Sequence, residues 1–252
     1  MLKTAHRGVS LVELMVAIAA GLFIVLGTTT FFLNSQASVL ENTESLKLNG
    51  IMRRSLDFMG REIRRSGYWE SAPNFIGSLD HSSSPPEPDF AQINPFGTLA
   101  FQHFSAGAQS DCKHTTAAGT SSASCNCLLF AYDHPGASAD SGTLVLTLAS
   151  GELSGYRLNG GQIEYKRSGT AFSCTEGEWS ALTPSLLHVT QLEFELTSQL
   201  PVTIAGSDGS ASVGNISKRS VTVRLGATLA GQTGASKTIS DSFDIRNDHL
   251  SN

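Results

Sequence analysis

The residues with the clearest potential for chemistry stand near the start of the chain, where Gly8-Val9-Ser10-Leu11-Val12-Glu13 leads into a long apolar run. Glu13 is the single ionisable residue between Val9 and about Phe32. A charge inside a membrane-spanning helix costs roughly 2.5 to 3.5 kcal/mol even on the translocon scale. An ordinary membrane anchor would not keep a carboxylate at this position.

Four cysteines form the second group, and all lie downstream of the apolar run: Cys112, Cys125, Cys127 and Cys174. Lys3, His6 and Arg7 precede the run and the next basic residue is Lys47, so the positive-inside rule places the cysteines outside the cytoplasm. An even number of cysteines in an oxidising compartment predicts up to two disulfides. Cys125 and Cys127 are too close to pair comfortably with each other, so each is expected to pair with Cys112 or Cys174, and both arrangements stay open.

Other kinds of chemistry have little support in the sequence. Cys125-Asn126-Cys127 is C-x-C, which is neither the C-x2-C of structural zinc sites nor a C-x-x-C redox motif. The G-x-S-x-G, H-E-x-x-H and P-loop motifs do not occur, and the histidines are scattered. The net charge is -5, and the arginines from Arg53 to Arg65 are interleaved with Asp57 and Glu62, which argues against nucleic-acid binding. We therefore expect a protein that is not an enzyme and holds no metal or cofactor.

One long helix must position the N-terminal residues. The run from Val9 to about Phe32 is long enough to cross a hydrocarbon core of about 30 Å, and it continues into a second pattern without the break of a secretory signal peptide. That pattern has apolar residues at steps of four, four, three and four, typical of one helix face: Leu48, Met52, Leu56, Met59 and Ile63. No proline occurs between Val9 and Gly67. We predict a helix from Val9 to about Arg65 whose first half is embedded in an apolar medium.

Short strands are expected in the remainder of the chain. Residues 66–97 are rich in Pro, Gly and Ser and predict a long connecting loop. The strand-like runs are Thr98–Phe104, Cys127–Asp133, Thr143–Leu148, Gly155–Leu158, Ile163–Lys166, Leu186–Leu196, Ser220–Leu225 and Thr238–Ile245. Asn159-Gly160-Gly161 is typical of a hairpin turn, and Gly/Ser-rich intervals occupy 105–124 and 205–217. The prediction is an α+β fold, with an antiparallel sheet packed on the distal half of the helix.

The short basic leader, Gly8, Glu13 and the uninterrupted apolar helix together resemble the processing signal of type IV pilins and type II secretion pseudopilins. The resemblance implies a type IV pilin-like fold and a prepilin peptidase that cuts after Gly8 and methylates the new N-terminus, Val9. Glycine lacks a Cβ, which suits an unhindered scissile bond. The resemblance also implies that Glu13 pairs with the N-terminal amine of a neighbouring subunit and sets its axial position. The alternative is that Glu13 only reaches the membrane interface.

The rest of the chain is similar to the PilW-type minor pilins, which are related to the J-type pseudopilins. The similarity lies in the segments Met59–Tyr68, Leu192–Leu196 and Phe243–Asn247. The low-complexity segments Phe75–Pro88 and Asp111–Ser124 depart from the family pattern.

This resemblance implies a minor pilin that primes assembly of a type IV pilus or forms its tip complex. We expect a leader (1–8), a membrane and filament-core segment (9–33), an amphipathic helix half (34–67) and a periplasmic head (68–252). The precursor is expected in the bacterial inner membrane and the mature chain in the pilus. The expected partners are prepilin peptidase, other minor pilins, the major pilin, a large tip adhesin and the inner-membrane assembly platform.

Three alternatives stay open. A J-type pseudopilin of a type II secretion system uses the same chemistry in a different machine. A membrane-tethered periplasmic binding domain or enzyme would keep an uncleaved N-terminus and a pocket with convergent polar groups. A major pilin that polymerises alone is disfavoured by the Ser/Gly-rich insertions, because many copies must pack identically.

Overall fold

The structure is a computed structural model, which describes residues 8, 10–69, 79–80, 87–88, 94–112, 124–133, 151–198, 202–205, 212–230, 236–246 and 249–251. The contacts divide the chain into two compact units, with the boundary between Lys47 and Leu48. The fold is α+β and pilin-like, with one long N-terminal apolar helix and antiparallel sheets.

Helix α1 spans Leu11–Arg65, which confirms the predicted long helix. It ends where Gly67 adopts a left-handed conformation, with φ of 74°, which glycine tolerates without steric cost. Gly67 N donates a hydrogen bond to Ala131 O at 2.9 Å. Arg64 and Arg65 occupy the last turn, where cations interact favourably with the negative end of the helix dipole. The helix end is therefore fixed both by its own sequence and by the sheet.

The strands follow the helix in chain order. They are β1 (Leu79–Asp80), β2 (Glu87–Pro88), β3 (Leu99–Ser105), β4 (Ala108–Asp111), β5 (Cys127–Ala131), β6 (Leu153–Asn159), β7 (Gln162–Ser168), β8 (Glu178–Ala181), β9 (Leu187–Ser198), β10 (Val202–Ala205), β11 (Ser212–Ser217), β12 (Arg219–Leu229), β13 (Ser236–Asp244) and β14 (His249–Ser251), with a short 3-10 helix at Pro95–Gly97.

Two antiparallel sheets provide most of the described β-structure. The first has six strands in the order β4-β3-β5-β6-β7-β8, and the second has three strands in the order β13-β12-β9. Strands β1 and β2 form a separate pair, and β10-β11-β14 form a further small sheet.

The core of the second unit lies where the distal part of α1 meets both of these sheets. The predicted helix stripe is buried, and each of its members is at most 4% exposed: Leu48, Met52, Leu56, Met59 and Ile63. It packs with side chains of the six-stranded sheet such as Phe130 and Ile163, and of the three-stranded sheet such as Phe194 and Val223. Burying an apolar side chain of this size contributes about 1.5–3 kcal/mol, so this stripe is a main source of stability.

Most predicted strands are present with shifted ends, and the shifts have local causes. Strand β5 ends at Ala131 instead of Asp133, because Tyr132 N and Asp133 N donate to the carbonyl oxygens of Glu152 and Tyr68, outside the ladder. Strand β12 runs beyond the predicted Leu225, through a register shift after Gly226 that is typical of a β-bulge. The predicted strand Thr143–Leu148 lies outside the described residues.

Of two hairpin turns in the six-stranded sheet, one was predicted from the sequence and the other was not. The predicted turn is present, with Gly160 and Gly161 at positive φ between β6 and β7. A second two-residue turn joins β3 and β4 through Ala106 and Gly107, whose φ values are 49° and 81°. Strands β4 and β11 lie within the Gly/Ser-rich intervals 105–124 and 205–217, and β1 and β2 lie within the predicted loop 66–97, so these four strands were not predicted. Alanine rarely adopts positive φ, so this turn carried no sequence signal.

Candidate processing and assembly site

The predicted cleavage site lies directly before helix α1. Gly8 is exposed and non-helical, and a Cβ built on it would have no heavy atom within 4 Å. The helix starts after Ser10, whose carbonyl oxygen accepts a hydrogen bond from Leu14 N at 3.1 Å. Val9 lies outside the described residues. The backbone at Gly8 is thus open and outside the helix, as an enzyme that cuts there would require.

Glu13 is exposed and lies in the first turn of α1. The unpaired backbone N–H groups of a first turn favour a carboxylate. Ser10 and Glu13 also have the S-x-x-E spacing of a capping box, a signal that our sequence reasoning missed. No described residue forms an ion pair with Glu13. Within the part of the chain that the structure describes, its carboxylate therefore lacks a cationic partner.

The first unit carries an apolar surface that is suited to lipid or to other helices. Its large apolar side chains between Leu11 and Leu40 are 55–77% exposed. The helix contains an 18-residue window with a mean hydropathy of 2.3, so by length and composition it can cross a membrane. Side chains this apolar are unfavourable in water and gain free energy from an apolar environment.

Three consecutive threonines interrupt this surface without adding unpaired donors. The hydroxyls of Thr28, Thr29 and Thr30 donate to the carbonyl oxygens four residues earlier, at 3.0, 2.7 and 3.1 Å. A hydroxyl without a partner would cost about 2–7 kcal/mol in an apolar medium. Because these hydroxyls bond within their own helix, the segment remains compatible with lipid.

Polar contacts tie the arginine-rich end of α1 to the head. The Tyr132 hydroxyl donates to Glu62 Oε2 at 3.0 Å, and Arg65 pairs with the same carboxylate at 3.5 Å. The Arg65 guanidinium also lies over the Tyr132 ring, 4.3 Å from its centroid. Burial, and then the charge of Glu62, raise the pKa of Tyr132, so its hydroxyl remains a donor. This network holds the last turn of α1 against the residue that follows β5.

The family model described as prepilin peptidase-dependent protein B matches residues 41–245. The chain belongs to this family. It is therefore a type IV pilin-related protein whose family is described by its dependence on prepilin peptidase. Comparison with curated proteins and with solved structures found no match.

The family match and the N-terminal motif are independent observations. The matched region contains the distal part of α1 and both large sheets, but it begins after Gly8 and Glu13. The N-terminal motif resembles a prepilin peptidase signal on its own residues. Two separate parts of the chain thus point to the same processing enzyme.

The four cysteines all lie in the matched region and form two disulfides. Of the arrangements that the sequence left open, the structure contains Cys112–Cys125 and Cys127–Cys174, with Cα–Cα distances of 5.4 and 6.4 Å. The first bond joins the residue that follows β4 to a residue just before the start of β5. The second joins the start of β5 to the segment between β7 and β8. Among the described residues, no cluster of three His, Cys, Asp or Glu side chains could hold a metal ion.

A buried lysine and a tryptophan hold the segment that carries Cys174. Lys166 is 3% exposed, and its Nζ donates to Ser173 O at 2.8 Å and Glu176 O at 2.7 Å. Lys166 Nζ lies 5.2 Å from the centroid of the Trp179 ring, and Arg157 Cζ lies 4.3 Å from the same centroid. Burial lowers the pKa of Lys166 to about 8. These contacts depend on how the segment between β7 and β8 folds back on the sheet, and they have no signature in residue spacing, which is why sequence reasoning did not find them.

Proposed function

We propose that this chain is a minor pilin of the PilW type, a structural subunit that enters a type IV pilus through α1 and primes assembly or forms part of the tip complex. The observation that carries the proposal is the open Gly8 backbone beside Glu13 at the start of an exposed apolar helix, on a chain of the prepilin peptidase-dependent family. A membrane-tethered enzyme would require neither a cleavable glycine nor a carboxylate at the start of its anchor helix.

The proposed maturation follows the chain from its start. Prepilin peptidase removes residues 1–8 and methylates Val9, residues 9–33 pass from the inner membrane into the filament core, and residues 34–67 support the periplasmic head of residues 68–252. The exposed apolar side chains of α1 suit both environments, because lipid and neighbouring helices each replace water around them. Other minor pilins, the major pilin, the assembly platform and a tip adhesin are the proposed partners.

Glu13 is proposed to fix the axial position of the subunit. Val9 and Glu13 are four residues apart, so a neighbour whose amine meets Glu13 is displaced by about 6 Å along a parallel helix. Breaking a buried ion pair by removing one partner costs about 3–5 kcal/mol, because the other charge remains uncompensated. Insertion at another height therefore carries a large penalty.

The test compares two carboxylates of the same helix. Glu13→Ala removes the proposed partner, while Glu41→Ala removes an exposed carboxylate beyond the apolar run. Each variant is expressed in a strain of the native host that lacks the wild-type gene, and the chain is quantified by immunoblot in sheared filaments and in membranes.

We expect Glu13→Ala to be cut normally but to decrease in filaments by at least about tenfold, the equivalent of 1.4 kcal/mol. Glu41→Ala should behave as wild type. Equal incorporation of both variants would contradict the role of Glu13. A strain without the gene that keeps its pili and loses protein secretion would instead indicate the J-type pseudopilin function.

A further inference from the structure

A groove of about 860 Å³ opens on the second unit beside the distal part of α1. It is lined by helix residues, by the segment between β8 and β9, and by β13. Apolar side chains and guanidinium groups share its surface: Phe58, Leu182 and Phe243 with Arg54, Arg61 and Arg64. A concave surface with apolar patches and a few converging polar groups is the usual form of a binding site.

The guanidinium groups of the three groove arginines are not neutralised by described carboxylates. Arg54, Arg61 and Arg64 form no ion pair with any carboxylate that the structure describes. Arg61 lies over the Phe58 ring, 5.9 Å from its centroid, and Arg64 lies over the Phe243 ring at 5.3 Å. These contacts hold the guanidinium planes at the groove while their N–H donors stay free for carboxylates.

The lining as a whole favours an anionic occupant. Three guanidinium groups stand against the two carboxylates of Asp57 and Asp241. This excess of positive charge occurs on a chain whose net charge is -5. A segment that carries carboxylates is therefore complementary to the groove, and a basic segment is not.

Strand β13 provides the backbone part of the site. In its sheet the order is β13-β12-β9, so β13 is an edge strand among the described residues. Asp241 and Phe243 of this strand line the groove. An unpaired strand edge binds extended polypeptide through main-chain hydrogen bonds, with side-chain pockets supplying specificity.

We propose that this groove binds an extended acidic segment of another subunit of the same pilin-type assembly, with a carboxylate on Arg61 and Arg64 and an apolar side chain against Phe58 and Leu182. The inference rests on the proposed function, which supplies the class of partner. It assigns to the second unit a docking surface separate from the exposed apolar surface of the first unit.

The experiment uses site-specific photocross-linking of the full chain in its native host. A benzoylphenylalanine replaces Leu182 inside the groove, and in a second strain it replaces the exposed Pro184, which lines the same groove. Leu186, exposed and absent from the lining, is the control position. Cross-linked peptides are sequenced by mass spectrometry.

We expect the groove positions to capture a segment of another pilin-like subunit with Asp or Glu within two residues of the cross-link. The double substitution Arg61→Glu/Arg64→Glu should lower the yield by at least about tenfold, the loss of 1.4 kcal/mol or more expected when charge-assisted hydrogen bonds are removed. Arg167→Glu, the same charge change at an exposed site away from the groove, should leave the yield unchanged. Arg61→Gln/Arg64→Gln, which adds no negative charge, should give an intermediate loss.

Capture of a second copy of this chain, of a non-pilin protein or of a segment without carboxylates would overturn the proposal. So would equal yields in the Arg61→Glu/Arg64→Glu and Arg167→Glu strains, or no cross-link from either groove position. The N-terminus and filament content of the chain are measured in the same cells. A processed, incorporated chain without the expected cross-link refutes the groove alone, whereas an uncut chain absent from filaments refutes the proposed function.

Discussion

Gly60 offers a direct test of how α1 packs on the three-stranded sheet. A Cβ added at Gly60 would lie 2.3 Å from Phe243 Cε1 and 2.5 Å from Cδ1. The ring belongs to a side chain that is only 2% exposed and packs in the core, so displacing it disturbs that packing. Gly60→Ala is therefore expected to lower the free energy of unfolding of the head.

The expected loss of unfolding free energy is estimated by comparison with a matched control variant in the same helix. Replacing glycine by alanine in a helix gains about 0.8–1.0 kcal/mol, while forcing an extra methyl group into a packed core costs about 1–3 kcal/mol. Gly50→Ala has the same helix gain, and its new Cβ would meet no heavy atom within 4 Å. The helix term cancels between the two variants, so Gly60→Ala should be less stable than Gly50→Ala by about 1–3 kcal/mol.

The assay is urea unfolding of the full chain in detergent micelles, followed by tryptophan fluorescence. Trp69 and Trp179 are the two tryptophans and both belong to the second unit, so the signal reports on the head. Phe243→Leu combined with Gly60→Ala should recover part of the loss, as expected for residues in contact. Equal stability of the Gly50→Ala and Gly60→Ala variants would refute the packing described for this helix.

Two further predictions concern the segment between β7 and β8 and its disulfide. Cys127→Ala/Cys174→Ala should lower the free energy of urea unfolding by about 2–4 kcal/mol. The loss should be about 1 kcal/mol larger than for Cys112→Ala/Cys125→Ala, because the two disulfides close loops of 47 and 13 residues, respectively. Equal losses in the two variants would contradict the loop-closure reasoning. Burial lowers the pKa of Lys166 from 10.5 to about 8, so between these values the folded chain binds fewer protons than the unfolded chain and stability rises with pH. Urea unfolding at pH 8 and pH 10 should show a rise of up to about 2 kcal/mol that is absent in Lys166→Met. The same rise in both proteins would argue against the assignment.

The helix and its buried stripe were predictable because their evidence is local and periodic. Apolar residues from Leu48 to Ile63 repeat at helical spacing, and the absence of proline allowed one continuous element to Arg65. The hairpin at Gly160 and Gly161 was predictable for the same reason, since two adjacent glycines favour positive φ.

The features that the sequence did not predict depend mainly on contacts between residues distant in sequence. Spacing limited the disulfides to two arrangements but could not choose between them. The role of Gly60 depends on Phe243, which no local pattern brings to that helix face. The groove likewise requires that α1 and β13 lie side by side, and the turn at Ala106 uses a backbone conformation that alanine does not signal.

Maturation of this chain by prepilin peptidase, as a pilin subunit, can be tested at its N-terminus. Intact-mass and N-terminal peptide mass spectrometry would be performed on the chain from its native host and from a strain without prepilin peptidase. We expect a mature chain that begins at Val9, carries one added methyl group and appears only when the peptidase is present. A chain that retains residues 1–8 in both strains would contradict maturation by this enzyme.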